Sequence, residues 1–198
     1  RLKIISVIPI FIFNKINIKD KKKIDSFFSK NKIDIVVHLA AQAGVRYSLI
    51  NPRTYIENNL DGFFNILDNS KNYKVKKFFF ASSSSVYGNN TNYPLKENHT
   101  TDSPKSLYAA TKKCNEVLAY SYSSLFNLHC VGMRFFTVYG PYGRPDMALY
   151  KFTSSIIKGK KIELFNYGNH YRDFTYIDDV INSIDKLIII KKIKSKIP

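Results

Sequence analysis

The chain has 198 residues, of which 44% are hydrophobic and 15% aromatic, a composition that builds a packed core and excludes disordered or collagen-like chains. Its net charge of +16 comes from 31 basic and 15 acidic residues. The Lys are spread along a chain also rich in Asn and Ile, which reads as compositional bias rather than a basic binding face, so no nucleic-acid partner is expected.

The chain begins with Arg1 and shows no signal-peptide pattern, so it reads as a piece of a longer protein. Its longest mostly apolar run, Ile4 to Phe13, has ten residues and contains Pro9. A membrane helix needs about 20, so no membrane span is expected. Ile33 to Ala41, Lys77 to Ser82 and His129 to Val138 are nearly continuous β-branched or aromatic runs, the pattern of parallel strands buried on both faces. Helical stretches separate them. Arg53 to Ser70 places Tyr55, Leu60, Phe63, Phe64 and Leu67 on one face. Pro104 to Phe126 follows Ser103, which reads as an N-cap before an N1 proline. Strand–helix alternation predicts an α/β fold with a doubly wound parallel sheet of Rossmann type. Beyond it, Met147 to Lys158 reads as a helix, Lys161 to Phe165 as a short strand, and a last helix starts near Asp178, which with Asp179 caps it. The expected division is a dinucleotide-type domain over 1–145, incomplete at its start, and a partial smaller region over 146–198.

Ligands of such sheets sit at the carboxyl ends of the strands. Those ends here are Ala40-Ala41-Gln42-Ala43-Gly44, Ser82 to Ser85 and Thr137-Val138-Tyr139-Gly140-Pro141. Tyr108 and Lys112 stand four apart, sharing a helical face. An ammonium beside a phenol favours the phenolate and makes a general base, although any helix offers this spacing by chance. A serine hydroxyl at the strand end, about 25 residues earlier, supplies a donor for the oxygen such a base deprotonates. Alone, the serines also read as a capped turn. Cys114 and Cys130 suit neither a disulfide scaffold nor a metal, and Cys114 reads as a packing residue. The four histidines have no zinc spacing. A reducing, cytoplasmic compartment is expected.

These motifs resemble the extended short-chain dehydrogenase/reductases of the NAD-dependent epimerase/dehydratase family. The carrying residues are Ser83-Ser84-Ser85-Val86-Tyr87-Gly88, Tyr108-x-x-x-Lys112, His38-Leu39-Ala40-Ala41, Asn58-Asn59-Leu60-Asp61-Gly62 and Arg172 to Asp179. Ala43-Gly44-Val45-Arg46, Arg134 to Pro141 and Gly143-Arg144-Pro145-Asp146-Met147-Ala148 are similar to the UDP-glucuronate 4-epimerases. The resemblance implies Tyr108 as base on the sugar 4-hydroxyl, hydride transfer from C4 to NAD, and a 4-keto sugar that turns before hydride returns. Lys112 would lower the Tyr108 pKa and hold the nicotinamide ribose. Ser83 would bond the 4-oxygen, with Ser84 and Ser85 as rivals. Leu39, Ala40, Ala41, Asn58 and the Phe136 backbone would line NAD. Arg172 is a candidate for the substrate diphosphate, or else pairs with Asp173. Thr137 and Arg144 are candidates beside the sugar carboxylate, and the role of Arg46 stays open. A homodimer through the Tyr108 helix and its neighbour is a further implication.

Related dehydratases and decarboxylases carry acidic residues before Val-Tyr-Gly, where this chain has serines, which favours epimerisation. The family's G-x-x-G-x-x-G loop does not occur here, the first glycine being Gly44, and Asn17 stands where an acidic residue is usual. The 198 residues are therefore expected to bind NAD weakly or not at all. The alternatives are a UDP-glucose/galactose 4-epimerase, an inactive fragment, or a basic nucleic-acid binder. The last lacks aromatic platforms in its Lys-rich segments apart from Phe27 and Phe28.

Overall fold

The computed structural model describes residues 2–169 and 171–190. The Lys-rich tail after residue 190 and His170 lie outside them. Backbone contacts divide the described chain into two compact units, residues 14–135 and residues 2–13 with 136–190. The division falls between Phe135 and Phe136, earlier than the boundary expected after residue 145.

In the first unit, α1 (Lys21–Lys30) starts where the Asp20 carboxylate accepts from the Lys23 amide at 3.1 Å. It is followed by β1 (Ile35–His38), α2 (Gly62–Asn72), β2 (Lys77–Ala81), α3 (Leu107–Phe126) and β3 (Cys130–Met133). The strands form a parallel sheet in the order β1-β2-β3, with Val37 opposite Phe79 and Phe80 opposite Gly132. This parallel α/β arrangement is the one the alternating pattern predicts. Phe78 and Phe80 enter the core with Phe63, Leu67, Ile24, Phe28 and Ala119. Phe79, on the opposite sheet face, is also fully buried, which explains the continuous apolar run. A Cβ at Gly132 would stand 2.7 Å from the Phe80 ring, so glycine makes room for that ring.

Three sequence expectations change here. The helix expected from Arg53 to Ser70 begins with a turn, Pro52–Tyr55, and a wide π segment, Ile56–Asp61, before α2. Asn58 there donates to the Thr54 carbonyl and hydroxyl at 2.7 and 3.0 Å, side-chain competition that accompanies a loosened helical ladder. The N-cap of α3 is Ser106, not Ser103, with its Oγ accepting from the Ala109 amide at 3.1 Å. Ser103 is instead occupied at Gly88, whose positive φ of 60° and close approach to the Ser103 carbonyl both require glycine. The run from His129 to Val138 is two strands, interrupted where the Phe135 amide turns back onto the Met133 carbonyl at 3.0 Å.

In the second unit, β4 (Thr137–Tyr139) pairs in parallel with β5 (Phe174–Tyr176). Between them lies α4 (Ala148–Ile157), and α5 (Ile177–Ile189) follows. The expected strand over Lys161 to Phe165 is irregular, leading into a short turn at Phe165–Gly168; among the described residues no strand pairs with it. Asp178 and Asp179 lie in the first turn of α5 rather than capping it; the N-cap is Tyr176, without a side-chain bond. Their charges still favour that helix start. No helix among the described residues is long and apolar enough to cross a membrane.

Candidate functional site

In the first unit, β2 and α3 deliver the candidate chemistry. Beyond Ala81 the chain enters a tight turn, Ser84–Tyr87, capped by Ser83. The Ser83 hydroxyl is 3.2 Å from both the Ser85 amide, from which it accepts, and the Ser85 hydroxyl. Ser82 donates to Glu116 Oε1 at 2.5 Å, so its hydroxyl is committed away from any ligand. Lys112 is only 3% exposed, and its Nζ donates to the Ala81 carbonyl at 2.7 Å. Burial pushes its pKa down to about 8, so the ammonium remains charged at neutral pH. Tyr108 is half-buried four residues before it, its ring edge-on to that of Tyr55 at 6.3 Å. Residues 81–83 and the Tyr108–Lys112 face thus belong to one compact unit, with Lys112 bonded to the strand end that carries the serines.

Leu39 and Ala40 are exposed beyond β1, and Ala41 is half-buried. The loop they begin is held by two buried side chains of the helical segment that follows it. Asn59 accepts from the Gln42 amide at 2.8 Å and donates to the Gln42 carbonyl and the Thr111 hydroxyl at 3.0 and 3.1 Å. Tyr55 donates to the Gly44 and Ala43 carbonyls at 2.5 and 3.1 Å. Asn58, the sequence candidate, spends its amide on Thr54, so the residue bridging the β1 loop to the Tyr108 helix is its neighbour Asn59. Its signal was available: Tyr55, Asn59 and Phe63 recur every four residues, a polar side chain within an apolar stripe. His38, buried against the rings of Phe63 and Phe78, has a pKa lowered to about 4 by burial and by the Lys112 charge.

The second unit has a cavity of about 460 Å³ lined by residues including Thr137, Tyr139, Tyr142, Arg144, Tyr150 and Arg172. It therefore gathers the sequence candidates Thr137, Arg144 and Arg172; Phe136 is half-buried at its border in sequence. Arg144 pairs with Asp146, its Nε donating to Oδ1 at 2.9 Å and its Nη2 to Oδ2. That guanidinium holds the Asp146 carboxyl below its usual range. Both partners are exposed, and the planar fork that grips Asp146 fits any carboxylate. Arg172 donates to the Tyr171 carbonyl at 2.8 Å rather than pairing with Asp173. Arg46 is exposed. Cys114 is exposed, not packed.

The residues present fit a nicotinamide dinucleotide in part. A buried ammonium, a phenol and a serine turn at the strand ends suit its reacting end. The pyrophosphate calls for a glycine-rich helix start, and the 198 residues contain none.

Residues 2–194 match the NAD dependent epimerase/dehydratase family. Over 178 residues the chain is 52% identical to Protein CapI of Staphylococcus aureus, covering 90% of this chain and 53% of that protein. It is 46% identical over 170 residues to the probable UDP-glucuronate 4-epimerase of Rhizobium meliloti, covering 86% and 50%. Its fold resembles that of UDP-glucuronic acid 4-epimerase from Bacillus cereus, crystallised with UDP-glucuronic acid and NAD. The TM-score is 0.90 at 34% identity, over 96% of this chain and 60% of that one. It also resembles UDP-glucose 4-epimerase from Thermotoga maritima, crystallised with UDP-glucose, with a TM-score of 0.85 at 30% identity over 91% and 59%. The chain spans about half the length of the curated relatives it matches.

Proposed function

The chain belongs to the NAD dependent epimerase/dehydratase family, and we propose that it is part of an NAD-dependent UDP-sugar 4-epimerase interconverting UDP-glucuronate and UDP-galacturonate. The observation that carries this reading is the buried Lys112 ammonium, bonded to Ala81 beside the serine turn and one helical turn from Tyr108. The similarity to an epimerase that binds UDP-glucuronic acid supports the choice of sugar, as does the carboxylate-sized fork of Arg144.

NAD, when bound, supplies the hydride acceptor for sugar C4 and afterwards the hydride donor. Tyr108 takes the proton of the 4-hydroxyl and later returns it. Lys112 stabilises the phenolate and reaches the nicotinamide ribose. Ser83 donates to the 4-oxygen, with Ser84 and Ser85 as rivals. Leu39, Ala40, Ala41, Asn58 and Phe136 would line the cofactor, Asn58 with its Nδ2 already engaged by Thr54. Arg144 and Thr137 receive the sugar carboxylate, Arg144 by exchanging Asp146 for it, and Arg172 receives the diphosphate. Two copies meet through α3 and its neighbour α2, whose exposed Val117, Tyr120 and Phe64 suit an apolar contact. We place the enzyme in the cytoplasm, where nucleotide sugars are interconverted before polysaccharide assembly.

The test is a proton NMR assay of the full-length protein with NAD and, in parallel, UDP-glucuronate and UDP-glucose. New anomeric signal from UDP-galacturonate alone supports the proposal. Conversion of the neutral sugar alone moves the assignment to a UDP-glucose 4-epimerase, the activity named for the Thermotoga maritima protein. Replacing Arg144 with Ala separates the two: it cripples a carboxylate substrate by about 10- to 100-fold, the loss of one charge-assisted contact, and leaves a neutral one unchanged.

A further inference from the structure

Glu116 and Arg134 belong to no substrate or cofactor contact named above, yet they form the most highly connected ion pair among the described residues. Arg134 Nε and Nη2 donate to the two Glu116 oxygens, both at 2.9 Å. The side chains are only 17% and 13% exposed. Arg134 Nη1 also donates to the Glu97 carbonyl at 2.9 Å, and its guanidinium lies over the Tyr87 ring at 4.9 Å. Tyr87 closes the serine turn. Glu116 in turn accepts from Ser82 at 2.5 Å.

The arrangement has a ladder logic. Tyr108, Lys112 and Glu116 follow at four-residue intervals on one face of α3. Lys112 grips Ala81, Glu116 grips Ser82, and the next residue is Ser83. From the other side, the Ser82 and Ser84 amides are fixed to the carbonyls flanking Arg134. A buried ion pair contributes little net stability compared with apolar packing; what a bidentate pair adds is a fixed geometry. We infer that Glu116 and Arg134 are positioning residues, which hold the Ser83 hydroxyl in register with the Tyr108 phenol through the Ser82 side chain. This rests on the epimerase reading. A displacement of about 1 Å between reacting groups costs on the order of 100-fold in rate, so the clamp acts on turnover and not on substrate capture.

The experiment compares the full-length protein with Glu116→Gln and Ser82→Ala, by steady-state kinetics and amide hydrogen exchange. Ser82→Ala removes one hydroxyl and keeps the ion pair, so it remains informative if Glu116→Gln fails to fold. The expected result is a 10- to 100-fold lower kcat with KM for the UDP-sugar within twofold. The Ser82 and Ser84 amides should exchange at least tenfold faster while those of Phe79 and Phe80 do not change. Unchanged kcat, or exchange that rises uniformly along the sheet, overturns the inference and leaves the epimerase reading intact. No turnover by the unaltered protein on any UDP-sugar overturns that reading, and the positioning role with it.

Discussion

Protonation of His38 should destabilise this protein in a pH window set by its packing. The imidazole is 8% exposed and lies 5.5 Å from the Phe63 ring and 6.4 Å from that of Phe78. Its pKa falls from 6.5 to about 4 in the fold. The unfolded chain therefore binds the proton first, and stability present above pH 6.5 is lost as pH falls towards 4. At ~1.4 kcal/mol per pKa unit, the loss is about 1.4 kcal/mol by pH 5.5 and about 2.5 kcal/mol by pH 4.5. Carboxylates titrate in the same range, so the measurement is a difference. Urea unfolding of the wild type and His38→Leu at pH 7.5, 5.5 and 4.5 cancels the groups common to both. The wild type should lose stability relative to the variant by those amounts. Parallel pH profiles would refute the reasoning, because they would mean the buried imidazole does not resist protonation.

Replacing Tyr108 with Phe should lower epimerase turnover by about 100- to 10,000-fold, the range of a positioned general base, with the melting temperature nearly unchanged; turnover within tenfold of wild type would exclude Tyr108 as the base. Activity should decline above about pH 8, where Lys112 gives up its proton, and a pH–rate profile flat from 7 to 10 would exclude a role for its charge. Isothermal titration of the 198 residues with NAD should give an affinity weaker than the low micromolar range, because no glycine-rich helix start is available for the pyrophosphate; low-micromolar binding would show another cradle at work. Sedimentation of the full-length protein should find a dimer that Val117→Asp converts to monomer, and a dimer indifferent to that change would place the contact elsewhere.

The parts of the fold legible in the sequence were those carried by local pattern. Phe78, Phe79 and Phe80 announce a strand buried on both faces without any knowledge of its neighbours. Tyr108 and Lys112 share a face because helix geometry alone requires it. What escaped was decided by partners distant in the chain. Nothing near Thr137 shows that it pairs with Phe174, and this long-range ladder separates β4 from β3. Ser103 and Ser106 both have capping chemistry, and the helix starts at Leu107, where the Ser106 hydroxyl accepts from the Ala109 amide. Asn58 entered as a cofactor contact through the resemblance, and nothing in the adjacent pair Asn58-Asn59 shows that Asn59 is the one bonded to Gln42. Glu116 lies one helical turn beyond Lys112, but its meaning depends on Arg134, which follows the end of β3.

The position of β1 bears on how this polypeptide behaves outside its native surroundings. Among the described residues its far edge has no partner strand, and Ile35, Val36 and Val37 carry neither a charge nor a proline to guard it. Val37 is 36% exposed. An unguarded row of backbone donors and acceptors beside β-branched side chains recruits strands from other molecules. An edge of this kind is the place on the described sheet where a further strand can add. Val37→Lys would place a charge on the exposed side of that strand, the device by which natural sheets keep such edges from pairing.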